Sequence, residues 1–185
     1  MPWIDVVAQE RAEGALRDVY ERVVRERGKL SHIMLVQSLY PEAMARHLDL
    51  YVELMFGKSA LTRAERELIA VVVSAANRCE YCLNHHAEPL RAYWKDDTRV
   101  AAAAADWREV ELSDRERALA TYADKLTRTP GDMTEGDVAS LRAAGLTDRD
   151  ILDANMITAY FNFVNRLAAG LGVEFTAEEV RGYKK

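Results

Sequence analysis

Five times in this chain a Ser or Thr stands three residues ahead of a Glu or Asp, at the head of a helix-forming stretch: Thr62/Glu65, Ser113/Glu116, Thr134/Asp137, Thr147/Asp150 and Thr176/Glu179. In this pattern the hydroxyl takes a backbone N–H of the first turn and the carboxylate returns to the N–H of the cap. Two donors that a helix start leaves open are thereby satisfied together. Each signature forecasts a helix, and Ala, Leu, Arg and Glu fill the stretches that follow. Breaks fall between them at Gly28, Gly57, Thr129-Pro130-Gly131, Gly145 and Gly170-Leu171-Gly172.

The reading is an all-α helical bundle, with helices near residues 10–26, 41–56, 62–77, 79–95, 113–128, 134–144, 147–168 and 176–183. The Ala101–Ala105 run reads as a short connector helix. With 185 residues and 49% hydrophobic content, the chain can bury one substantial core, so a single domain over residues 1–185 is expected. Its motif-bearing region is about 41–95. A degenerate second helical half at about 112–172 echoes the first at an offset of 85 residues, which aligns Leu61-Thr62 with Leu146-Thr147 and Asn77 with Asn162. Under that echo Cys79, Cys82 and His86 map to Val164, Leu167 and Leu171, which makes the second half apolar scaffold.

The run Leu68-Ile-Ala-Val-Val-Val-Ser-Ala-Ala76 has no periodicity that separates a buried strand from a buried helix. Its continuity with the capped Thr62–Glu67 start, and the lack of a partner strand elsewhere, favour a buried helix. The distinction matters, because a strand leading into a C-x-x-C helix would read as a thioredoxin-type site.

A net charge of −5 gives no basic surface for phosphates or anionic lipid, so nucleic acid and membrane are not expected partners. No apolar run approaches the ~20 residues of a membrane span, and Met1–Asp5 lacks a basic region followed by an apolar stretch. A cytoplasmic protein is expected. The two cysteines, Cys79 and Cys82, form one C-x-x-C pair, which in a reducing compartment suits catalysis, redox sensing or metal binding better than a permanent staple.

Following the Asn77-Arg78 turn, both cysteines fall in the first turn of the next helix, where open N–H groups and the helix dipole favour a thiolate. The three-residue spacing puts the sulfurs on one face, within reach of a disulfide. His86 shares that face and lies closest to Cys82, so Cys82 and His86 pair as nucleophile and base, and Cys79 resolves the oxidised intermediate. His85 points some 100° away, toward packing. Glu67 precedes the turn by ~10 residues and His86 follows it by ~8, which brings the two level in a helical hairpin. A carboxylate there would set the imidazole tautomer and accept a proton directly or through water.

Glu67, eleven residues, Cys79-Glu80-Tyr81-Cys82, three residues, then His86 resembles the E-x11-C-x-x-C-x3-H motif of AhpD-like alkylhydroperoxidases in the carboxymuconolactone decarboxylase superfamily. Leu112–Leu126 and Ile151–Gly172, including Ala159-Tyr160-Phe161-Asn162-Phe163 and Asn165-Arg166-Leu167, are similar to its "peroxidase-related" branch. The resemblance implies an all-helical, oligomeric protein with its active site in a helical hairpin. It implies Cys82 as the peroxidatic cysteine and Cys79 as the resolving one, with Glu67 and His86 relaying the proton through water. It also implies a hydroperoxide substrate, an external dithiol reductant and no organic cofactor. Two residues depart from the pattern. Tyr81 stands where peroxidase members carry a His, which weakens thiolate activation, and Pro89 should kink or restart the active helix.

Two other readings use the same residues. Cys79, Cys82, His86 and Glu67 or a water could hold Zn²⁺ in a non-catalytic module. Alternatively, the dithiol could govern assembly of a redox-sensing helical oligomer through the apolar stretches Leu48–Phe56 and Ile157–Phe163, although core packing is the more ordinary use of both.

Overall fold

The structure is a computed structural model and describes residues 2–183. Among these residues the regular structure is helical and contains no strand. The helices are α1 (Gly14–Arg27), α2 (His32–Leu35), α3 (Pro41–Phe56), α4 (Arg63–Ala76), α5 (Glu80–Trp94), α6 (Asp97–Asp106), α7 (Asp114–Arg128), α8 (Glu135–Ala143), α9 (Asp148–Gly170) and α10 (Ala177–Val180). Four of the five forecast caps close as full reciprocal boxes, at Thr62, Ser113, Thr134 and Thr147. At Thr176 the hydroxyl still accepts the Glu179 N–H, but the Glu179 carboxylate is engaged elsewhere. Gly28 closes α1 in the left-handed region at φ 90°, with its N–H on the Val24 carbonyl, a conformation that costs glycine nothing.

Several elements differ from the sequence reading, and the last helix, expected to reach residue 183, ends at Val180. The first helix starts at Gly14 after a separate 3-10 turn at Gln9–Arg11. The Ala-rich connector is part of a longer helix that starts at Asp97, because the Asp96 side chain caps it through the Arg99 N–H. The short α2 has no capping side chain and left no signal. Pro89 does not restart α5, which runs through it from Glu80 to Trp94; α5 is packed along both α4 and α6, and this tertiary support offsets the one missing backbone hydrogen bond.

The ambiguous apolar run is the central helix. From Leu68 to Ser74 every residue of α4 is fully buried, because α5, α6, α7 and α9 pack around it. A helix that is apolar on all sides is one surrounded on all sides. A second cluster joins α1, α2 and α3 through Leu16, Tyr20, Val23, Met34, Met44 and Leu48.

Buried His47 of α3 ties this second cluster to α9. Its Nδ1 lies 3.0 Å from the Gln37 Oε1 and its Nε2 2.7 Å from the Tyr160 hydroxyl. The Gln37 amide nitrogen donates to the Ile33 carbonyl, so Oε1 faces His47 as acceptor. The neutral ring therefore donates from Nδ1 and accepts the Tyr160 proton at Nε2. Burial lowers the imidazole from 6.5 to about 4. Between those values the unfolded chain binds more protons than the folded one, so stability falls as pH drops from about 6.5 and levels off below about 4. Urea titrations should show roughly 2 kcal/mol lost at pH 5 relative to pH 8. His47→Gln should remove most of that slope; an unchanged slope in the variant would assign the titration to another group.

Candidate active site

The turn between α4 and α5 is short and firmly held. Asn77 ends α4, Arg78 adopts φ 55°, and Cys79 occupies the cap position of α5 with Cys82 three residues into the helix. The Asn77 amide donates to both Asn162 and Asn165 of α9, each at 3.0 Å, which moors the turn to the neighbouring helix. The two residues related by the 85-residue echo thus touch in space.

Both cysteines are buried and reduced. Once one of the two thiol protons is lost the other lies between the sulfurs, so the pair gives up its first proton readily and its second with difficulty. Cys79 accepts from the Cys82 thiol and, despite burial, from the backbone N–H groups of Cys82 and Tyr81, which brings it down to about 7. Cys82 is pushed well up by donating to Cys79 and by burial, against an amide contact from Asn165. The resting charge therefore favours Cys79 at the helix cap, whereas the sequence expects the first turn to favour a thiolate at both cysteines and pairs Cys82 with His86. The cap position offers Cys79 backbone donors that a residue inside the turn does not reach.

Glu67 and His86 meet as the hairpin arithmetic expected, with His86 Nδ1 2.7 Å from Glu67 Oε2. Sequence reasoning missed the third member. Arg63, one turn before Glu67 on α4, donates from Nε at 2.8 Å and from Nη2 at 2.5 Å to Glu67 Oε1, and from Nη1 to the Met55 carbonyl. The i,i+4 spacing of Arg63 and Glu67 was the available signal. Burial acts to raise the fully buried Glu67 carboxyl, but His86 and Arg63 outweigh it and hold it below its ordinary value. Glu67 Oε2 accepts the hydrogen bond of His86 Nδ1–H, which leaves the Nε2 edge of the ring directed away from the carboxylate.

Arg63, Cys82 and His86 border a cavity of about 220 Å³. Cys82, His85 and His86 are on its wall, with Ile33, Met34, Leu48, Phe161 and Val164 among its apolar lining. Phe161 meets the His86 ring edge-on at 4.4 Å. Tyr81, which stands where a His was expected between the cysteines, is buried: its hydroxyl accepts the Ile33 N–H at 3.0 Å and donates to Glu179 at 3.1 Å, and its ring stacks on His85 at 4.2 Å. His85 lies 2.5 Å from the other Glu179 oxygen. Burial would raise the Glu179 carboxyl, but His85, the His32 N–H and the Tyr183 hydroxyl bring it to about 2. The C-terminal segment is thereby clamped over the cavity, where Val180, Gly182 and Tyr183 complete the wall.

The zinc arrangement is not assembled: among the described residues no three His, Cys, Asp or Glu side chains stand together as a metal would need. Glu67 faces the Arg63 cation and the Nδ1 edge of His86 instead. Among the same residues no helix is long and apolar enough to cross a membrane.

Residues 41–125 match the carboxymuconolactone decarboxylase family. A crystal structure of an uncharacterised peroxidase-related protein from Silicibacter superposes with a TM-score of 0.88 at 30% identity, covering 97% of this chain and 94% of its own. A peroxidase-related protein from Ralstonia eutropha, described as an alkylhydroperoxidase AhpD core, gives 0.87 at 28% identity with the same coverage of 97% and 94%. An alkyl hydroperoxide reductase of Mycobacterium tuberculosis is 32% identical over 102 residues, which are 55% of this chain and 29% of that protein.

Proposed function

Because the chain belongs to the carboxymuconolactone decarboxylase family, with AhpD-like peroxidase-related proteins as its structural neighbours, we propose that it is an alkylhydroperoxidase-type oxidoreductase working through Cys82, Cys79, His86 and Glu67. The observation that carries this reading is the placement of Cys82 and His86 on the wall of one largely apolar cavity, with His86 anchored by a buried, ionised Glu67.

In the proposed cycle the reduced pair gives one of its two thiol protons to His86 Nε2, directly or through a water, and the proton that remains is held on Cys79, from which it later leaves with the sulfenic hydroxyl as water. The Cys82 thiolate attacks the terminal oxygen of the hydroperoxide. The S–O bond forms as the O–O bond breaks, and the departing alkoxide takes the proton from His86 to leave as an alcohol. Cys82 is now a sulfenic acid, two electrons more oxidised. Cys79 attacks its sulfur, water leaves, and a Cys79–Cys82 disulfide remains. An external dithiol reduces the disulfide and becomes a disulfide itself. Cys82 rather than Cys79 is the attacking sulfur in this reading because it borders the cavity. Passing the shared proton to Cys79 makes Cys82 the thiolate at small cost, since one negative charge stays within the pair.

A thiol titration tests the cycle. One equivalent of cumene hydroperoxide added to the reduced protein should remove two titratable thiols per chain, with no change in mass beyond the loss of two hydrogens. Dithiothreitol should restore both. Unchanged thiols after several equivalents would end the peroxidase reading.

Self-association is part of the proposal. Leu152, Met156 and Phe163 are exposed and recur along one face of α9, an apolar stripe that a second copy could cover.

A further inference from the structure

Two buried carboxylates lie behind the cavity wall, and each already has its own partners. Glu67 takes Arg63 and His86, and Glu179 takes His85. At the rim, Glu88 pairs with Arg91 at 2.7 Å. Arg27 differs from these groups. It is the last residue of α1, half-buried on the cavity wall, and among the described residues no carboxylate forms an ion pair with it. Its guanidinium is held by aromatic groups instead: the central carbon lies 4.4 Å from the Phe56 ring centroid and 5.2 Å from that of Tyr51, and Nη2 lies 3.4 Å from the Tyr51 hydroxyl. Phe56 also carries Arg63 at 3.8 Å, so two guanidinium groups share one phenyl ring while only Arg63 has a counter-charge.

A cation in a largely apolar cavity is costly to leave unmatched, and a guanidinium held against aromatic rings keeps most of its five N–H donors for another partner. Those donors suit a carboxylate, which they can grip in a two-pronged pair. The remaining wall, with Ile33, Met34, Leu48, Phe161 and Val164, suits an apolar body. A cavity of about 220 Å³ has room for a ring, since an apolar void of ~150 Å³ accommodates benzene.

We infer that the cavity accepts compact organic hydroperoxides that carry a carboxylate, with Arg27 gripping the carboxylate while the peroxide end lies at Cys82 and His86. This inference rests on the peroxidase reading for its reacting end only. Arg27 acts as the specificity residue: a neutral hydroperoxide of the same shape fills the apolar wall but leaves the cation unmatched.

The test is a binding measurement on the reduced full chain, in which no peroxide turns over. Calorimetric titration with 4-isopropylbenzoate and with 4-isopropylbenzyl alcohol, at pH 7 and constant ionic strength, should show the acid bound at least tenfold more tightly than the alcohol. Arg27→Met should abolish that preference. Arg27→Lys should keep only part of it, because an ammonium offers a point charge without the two-pronged grip. Equal binding of acid and alcohol by the wild type, no binding of either, or a preference that survives in Arg27→Met would overturn the inference. A preference abolished by Arg27→Met in a protein whose thiols ignore hydroperoxide would uphold the carboxylate site and remove only the peroxide.

Discussion

Cys82→Ser should slow hydroperoxide consumption by roughly a thousandfold or more, whereas Cys79→Ser should react once and stop at the sulfenic acid. A hydroxyl in place of the Cys82 sulfur is not ionised near neutral pH and is a poor nucleophile toward an O–O bond, so the first variant loses the chemical step itself. The second keeps the attacking sulfur at the cavity wall but has no thiol to condense with the oxidised product. Rapid-mixing measurement of peroxide loss, with trapping of the sulfenic acid by dimedone, distinguishes the two. The comparison is a demanding one, because Cys79 is the sulfur lowered to about 7. If resting charge decided reactivity, the outcomes would be exchanged, with Cys82→Ser forming the trapped adduct. Orientation toward the substrate is expected to prevail, since the pair's proton moves between sulfurs far more easily than a buried sulfur moves to another face.

Arg63→Met should destabilise the fold by about 3–5 kcal/mol, an effect that originates in Glu67. That carboxylate is fully buried and receives two guanidinium donors on one oxygen and His86 on the other. Removing Arg63 leaves a negative charge in the interior with only the imidazole opposite. The double variant Arg63→Met/Glu67→Gln should recover a large part of the loss, because no ionised group then remains unmatched at that position. Urea midpoints for the wild type, both single variants and the double variant give the coupling directly, and simple additivity would contradict the account. The pH dependence follows from the lowered Glu67 carboxyl. Its contribution is complete above the carboxyl's unfolded value of about 4.3 and is lost as pH falls through its lower folded value, so the gap between wild type and Arg63→Met should close on strong acidification.

The residues that sequence reasoning handled well are those whose partners are close along the chain. Thr62, Ser113, Thr134 and Thr147 meet their acidic partners three residues on, and all four boxes are present. Cys79, Cys82 and His86 share a helix, so their order along it was available from phase alone. Even Glu67 and His86, 19 residues apart in sequence and in contact at 2.7 Å, were reachable, because a tight hairpin turns residue counts into distances. Arg63 lay one turn from Glu67 and could have been added by the same rule.

The contacts that shape the surroundings of the cavity join residues much farther apart. Tyr81 meets Glu179 across 98 residues, His47 meets Tyr160 across 113, and Asn77 meets Asn165 across 88. The forecast box at Thr176 stays open because Glu179 turns toward Tyr81, His85 and His32, partners that a local pattern cannot reveal.

Capping, periodicity and residue spacing act over one or two helical turns, so the sequence by itself determined that this chain is helical, that α4 and α5 form a hairpin carrying both cysteines, and that Glu67 stands level with His86. Which sulfur borders the cavity, which groups face each buried carboxylate, and that among the described residues no carboxylate pairs with Arg27 were decided by how the helices pack. Burial strips these groups of water, and only the packed fold settles which of them lose it and what they face instead.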